Sequence, residues 1–230
     1  MGSGAGMAAA AGSLEYLPLG ECGLLMRWSQ EPAPRLSRRI RALGEALDRN
    51  PPPGFVEWVP GLRSLAVQFD PDRLSRAAWV GTLASIWEVL PENPELQIRS
   101  FVVPVVYGGD YGPDLAGAAH AARLDPDQWI ALHAGAVYEV LLVGFAPGFP
   151  YLAGLPEALA VPRRTTPRLR VAAGSVAIAN RLCGIYPRES PGGWSVIGRT
   201  EWVCFDSARS PPACFAIGDQ VRFHPEPWSR

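Results

Sequence analysis

Apolar positions in the first half of the chain return with two periods. Gly23 to Trp28 reads as a short strand. From Arg35 to Asp48, Leu36, Ile40, Leu43 and Leu47 recur at helical spacing, so a helix there carries one apolar stripe. The run Asn50-Pro51-Pro52-Pro53-Gly54 stops it. Phe55 to Val59 and Ser64 to Phe69 predict two strands joined by a Pro60-Gly61 turn. Val80, Leu83, Trp87 and Leu90 mark a second helix over 74–90, and 97–107 closes the half as an extended apolar segment. The predicted order, β-α-β-β-α-β, is the ferredoxin-like split arrangement.

The second half has another rhythm. The segment 112–135 predicts two helical pieces broken near Leu124-Asp125-Pro126. Strand-like stretches follow at 137–145, 170–180, 194–200, 202–205 and 220–224, separated by Gly and Pro. Short strands with dense turn signals point to a closed or sandwiched antiparallel barrel. The fold class expected is thus α+β, with one domain over residues 14–98 and a β-barrel domain over 99–230.

Composition narrows the function. A chain of 230 residues with 48% hydrophobic residues can bury a core, and a formal net charge of -1 lacks the basic excess of a nucleic-acid binder. No apolar run reaches the ~18 residues of a membrane span. Residues 1–13 are only Gly, Ala, Ser and Met, without the basic start of a signal peptide, and read as a flexible tail of a cytoplasmic protein. Cys22, Cys183, Cys204 and Cys214 are too scattered for a zinc knuckle or a redox pair, so no metal site is expected. All 21 basic residues are arginine. A Walker lysine, a Schiff-base lysine and a biotin-bearing lysine are therefore excluded within this chain.

Candidate chemistry gathers between Gly144 and Thr200. Loops there are rich in Pro, Gly and aromatic residues, and Phe149, Tyr151, Tyr186 and Trp194 could line a site, although Pro and Gly also serve tight barrel corners. Arg163, Arg164, Arg168 and Arg170 form the densest basic cluster; a guanidinium pairs bidentately with a carboxylate or phosphate. Arg163, Arg168 and Arg199 are the candidates for an anionic ligand, with Ser190 beside them, and a solvated surface loop is the alternative. His133 is a weak candidate for a general base. Ser175 and Ser190 lack the G-x-S-x-G elbow of a hydrolase. The stretch Gly108 to Asp114 could cradle an anion or form a plain turn.

These loops, in this order, resemble the family of the 5-oxoprolinase B subunit, which includes the kinase inhibitor KipI and proteins called allophanate hydrolase subunit 1. The resemblance lies in Val105 to Gly109, Gly112 to Leu115, Gly144-Phe145-Ala146-Pro147-Gly148-Phe149-Pro150-Tyr151-Leu152, Pro162 to Arg168, Ser190-Pro191-Gly192-Gly193-Trp194 through Thr200, and Gly218 to Phe223. It implies a ferredoxin-like N-terminal domain followed by a cyclophilin-like β-barrel C-terminal domain. It also implies work with the homologous C subunit of the oxoprolinase complex, expected as a separate protein, and with the A subunit. Together the three would open 5-oxo-L-proline to L-glutamate with ATP, which the complex uses. An arginine such as Arg168 would hold the substrate carboxylate. The same motifs imply two alternatives, a KipI-type inhibitor of a histidine kinase and a urea- or allophanate-type carboxyltransferase subunit. The chain departs from the family at Leu182-Cys183, where relatives carry Gln-Thr; the change removes an amide and a hydroxyl suited to a polar ligand.

Overall fold

The computed structural model describes residues 13–227. The tail expected at residues 1–13 lies, apart from Ser13, outside them. Among the described residues two compact units emerge: one holds 13–32 with Arg39–Glu92, the other Ala33–Arg38 with 93–227.

The first unit begins with a hairpin, β1 (Leu14–Leu19) and β2 (Gly23–Trp28). Helix α1 (Pro34–Arg49) follows, then β3 (Phe55–Pro60), β4 (Ser64–Phe69) and α2 (Arg76–Val89). The sheet is antiparallel in the order β1-β2-β4-β3. Ile40, Leu43 and Leu47 of the helical stripe are fully buried, as are Leu24, Met26, Leu65, Trp79 and Leu83. Trp79 stacks on Phe69 at 5.4 Å between ring centroids. Ser75 caps α2, its hydroxyl accepting from the Ala78 N–H at 3.3 Å.

The β-α-β-β-α-β order expected for this half is corrected to β-β-α-β-β-α. The sequence reading missed β1, and it counted the 97–107 segment as the closing strand. That segment instead becomes β5 (Ser100–Tyr107) and pairs with strands of the second unit. An apolar extended run records that it needs partners, not which partners it finds.

In the second unit, β5 leads into α3 (Leu115–Ala121) and α4 (Pro126–Gly135). The break between them falls where the sequence puts it, because Asp125 caps α4: its carboxylate accepts from Gln128 N–H at 2.8 Å, and Gln128 Oε1 accepts from Asp125 N–H. Then come β6 (Tyr138–Val143), β7 (Pro150–Ala153), β8 (Arg168–Val171), β9 (Ser175–Ala179), β10 (Leu182–Ile185), β11 (Ser190–Gly192), β12 (Ser195–Arg199) and β13 (Gln220–Pro225). Seven of these strands close a barrel in the order β10-β7-β6-β13-β5-β12-β9, consistent with a cyclophilin-like barrel, while β8 and β11 form a separate ribbon. The barrel is antiparallel except where β13 lies parallel to β5. Buried Asp219 fixes the start of that pair, accepting from the backbone and guanidinium of Arg99 and from Ala216 N–H. Two expected strands change. The 170–180 run splits at Gly174 into ribbon and barrel, and 202–205 holds only an isolated bridge, Phe205 to Ala213.

Candidate functional site

The arginine loop, the aromatic loops and the Gly108 to Asp114 turn all meet on the second unit. The turn is pinned to β12 at both ends: Gly108 N–H donates to Ile197 O at 3.1 Å and Asp114 N–H to Val196 O at 3.0 Å. Gly112 packs so tightly that a Cβ there would lie 2.1 Å from Ile197 O, closer than any side chain allows. Asp114 is the anchor. Its carboxylate accepts from Arg164 Nη1 at 2.9 Å, from Arg168 Nη1 and Nη2 at 2.7 and 2.8 Å, and from Val196 N–H at 2.7 Å. Burial pushes this carboxyl up, but the hydrogen bonds from Arg168 and Val196 and the charges of both arginines together hold it below the usual carboxylate range.

The basic cluster is therefore mostly paired. Arg168 gives both its Nη atoms to Asp114, so it is already paired where the sequence reading had it hold a substrate carboxylate. Arg164 shares the same partner, and Arg170 pairs with Glu189 at 2.7 Å. Among the described residues no carboxylate stands within ion-pair distance of Arg163 or Arg199. Arg163 is exposed, and its charge acts on the hydroxyls of Tyr151 and Tyr186, opposing the upward push that burial gives both.

The four aromatic candidates do come together, as a second small core. Phe149 contacts Tyr151, Tyr186 and Trp194 in edge-on geometry at 5.0, 5.2 and 5.6 Å. Phe149, Tyr186 and Trp194 are buried there, whereas Tyr151 is half-buried. Ser190, on β11, has a buried hydroxyl oxygen without a hydrogen-bond partner. Phe145 stands exposed beside this cluster at φ 68, in the left-handed region.

Arg199 stands apart from the cluster. It lies in a groove of about 590 Å³ whose walls include Val106, Tyr111, Gly174, Pro187 and Glu226. Its Nε donates to Ala173 O at 3.1 Å and its guanidinium lies 5.6 Å from the Tyr111 ring centroid. Glu201 and Glu226 add carboxylates to the groove walls. A more open hollow of about 650 Å³ in the first unit, between Asn50 to Pro53 and α2, has no charged side chain on its walls. Chemistry favours the Arg199 groove.

His133 belongs to neither place. It is fully buried in the barrel core, stacked on Trp129 at 5.3 Å, with Tyr107 Oη 2.8 Å from Nδ1 and Cys183 Sγ 3.6 Å from Nε2. Burial lowers its pKa to about 3. It packs as a core histidine with no exposed surface, which lends its reading as a general base no support. The Leu182-Cys183 departure has the same character: Cys183 is buried beside His133 and Leu182 packs on the aromatic cluster. Sequence reasoning missed the roles of Asp114 and Tyr111. An acid just before a helix was the available signal for Asp114, but its partners lie far along the chain.

Comparison with known proteins shows the family and the fold. The family profile described as carboxyltransferase domain, subdomain C and D, matches residues 14–215. The chain is 34% identical over 215 residues to the 5-oxoprolinase B subunit of Bacillus subtilis (strain 168), covering 89% of this chain and 90% of that protein. It is 45% identical over 175 residues to the protein of the same name from Escherichia coli O157:H7, covering 76% and 79%. The crystal structure of TTHA0988 superposes with a TM-score of 0.78 at 38% identity, covering 90% of this chain but only 40% of that one. The Kluyveromyces lactis urea amidolyase shares the fold, at 22% identity with a TM-score of 0.78, over 95% of this chain and 15% of that one. The chain belongs to the carboxyltransferase subdomain C and D family, in the company of the proteins named as the B subunit of 5-oxoprolinase.

Proposed function

We propose that the chain is the B subunit of an ATP-dependent 5-oxoprolinase, a cytoplasmic, non-autonomous component that opens 5-oxo-L-proline to L-glutamate together with the A and C subunits. The carrying observation is the identity of 34% and 45% to proteins of that name, over 89% and 76% of the chain. In this reading the barrel domain, residues 99–230, binds the substrate. The groove at Arg199 supports that role: it is concave, and its guanidinium has no carboxylate partner among the described residues. A small cyclic amide with one carboxylate fits such a place, the carboxylate on the free Nη atoms and the ring against Tyr111. Arg163, whose charge acts on Tyr151 and Tyr186, is a further cation open to an anion.

Any contact of this chain with a nucleotide would use arginines and backbone amides. The chain has no lysine. Among the described residues no group of three or more His, Cys, Asp or Glu side chains is placed to hold a metal ion. ATP is assigned to the complex, and no step of this chain is routed through it.

The test is ATP-dependent glutamate release from 5-oxoproline by this chain mixed with its A and C subunits, each omitted in turn. Glutamate is expected only from the full mixture, and Arg199→Ala is expected to raise KM about tenfold or more. An assembled complex that releases no glutamate overturns the reading. Glutamate from this chain alone overturns the non-autonomous part of it.

A further inference from the structure

Among the described residues Arg163 and Arg199 have no carboxylate partner, and both are set in place by a third group whose own carboxylate oxygens are already occupied. Asp114 holds three pieces of chain at once. Through Arg164 and Arg168 it fastens the loop that carries Arg163; Arg164 N–H also donates to Gly193 O at 2.8 Å, so the loop is tied at a second point. Through Val196 it exchanges two hydrogen bonds with the start of β12, the strand that ends at Arg199. Through its own backbone it ends the turn that carries Tyr111, the ring facing Arg199. Its side chain is only 14% exposed, and four hydrogen bonds occupy both carboxylate oxygens.

We infer that Asp114 is a positioning residue: with Arg168 as its bidentate partner, it sets where Arg163, Tyr111 and Arg199 stand, and so sets the affinity for an anionic substrate without touching it. The inference rests on the proposed reading of the Arg199 groove. The physical reason is geometric. Two guanidiniums on one carboxylate fix a loop in position and in orientation, because the planar fork of Arg168 meets both oxygens. A loop held by backbone contacts alone keeps more freedom, and binding must then order it at the cost of affinity. The expected signature of losing the clamp is weaker substrate capture with the chemical step intact.

The experiment uses Asp114→Asn, which keeps the size of the side chain but turns one acceptor into a donor facing guanidinium donors, and Asp114→Glu, which keeps the charge. In the complex assembled with the A and C subunits, Asp114→Asn is expected to raise KM for 5-oxoproline about tenfold or more with kcat nearly unchanged, and Asp114→Glu to recover part of the loss. Hydrogen exchange of the isolated chain is the second readout; it should quicken in 108–114 and 162–168 and stay unchanged in the rest of the barrel. A fall in maximal rate with KM unchanged means fewer folded molecules and overturns the inference. So does unchanged exchange in both loops. If the wild-type complex releases no glutamate, the oxoprolinase reading falls and exchange alone decides the clamp: quicker exchange confined to the two loops sustains it, and unchanged exchange defeats it.

Discussion

His133 and Arg168 show how far a residue's type is from its role. Both looked available for chemistry; His133 is enclosed by neighbours, and Arg168 is paired with Asp114. His133 is fully buried, and its pKa of about 3 against an ordinary 6.5 follows from the loss of water around the imidazolium. A histidine with a lowered folded pKa takes up protons more readily when unfolded. Its contribution to stability is therefore complete above about pH 6.5 and is lost as pH falls from there toward about 3, by up to about 1.4 kcal/mol per pH unit. Urea unfolding of the wild type and of His133→Gln across that range should show the steeper pH slope in the wild type. Equal slopes would mean that the imidazole is reached by water. Arg168 could not be separated from Arg163 by sequence, since both sit in one loop of the same composition; Asp114, which distinguishes them, is 54 positions from Arg168.

Elements were legible where their signals are local. The stripe Leu36, Ile40, Leu43, Leu47 needs only helical spacing, and the break before α4 needs only Asp125, Pro126 and Gln128. The hairpin β3–β4 was legible from its Pro60-Gly61 turn, which Gly61 N–H closes on Ser64 O at 2.7 Å. The four-residue strands β7 and β10 were not, because so few residues establish no period. Element packing adds a constraint invisible in the pattern. Gly44 of α1 lies against the Trp58 ring of β3, where a Cβ would stand 2.3 Å from ring carbons. Trp58 is further held by its Nε1–H, which donates to Asp48 Oδ2 at 3.0 Å. Although alanine is the better helix former, Gly44→Ala should destabilise the protein by about 1–3 kcal/mol through overpacking. A chemical-denaturation midpoint at or above that of the wild type would show that the ring moves aside freely.

At the scale of the molecule, barrel closure is the decisive event. The last strand, β13, inserts between β5 and β6, so the barrel is complete only when the described chain's final strand is in place. Phe223 of β13 is buried against His133 and Tyr138, with ring centroids 5.0 and 5.1 Å away. Phe223→Ala should cost about 3–5 kcal/mol, read as a lowered urea midpoint; a loss below about 1 kcal/mol would mean that the seam carries little of the fold's stability. By itself the sequence determined the helices of both units, the β-rich second half, the exclusion of lysine chemistry and the family. These rest on local spacing, on composition and on long motifs, all carried by neighbouring residues. Only the tertiary structure decided that the 97–107 segment serves the barrel, that Arg168 is bound by Asp114, that His133 is core, and that Arg199 opens on a groove with Tyr111. Each of those depends on which groups from distant parts of the chain meet once water is excluded, and no local pattern encodes that meeting.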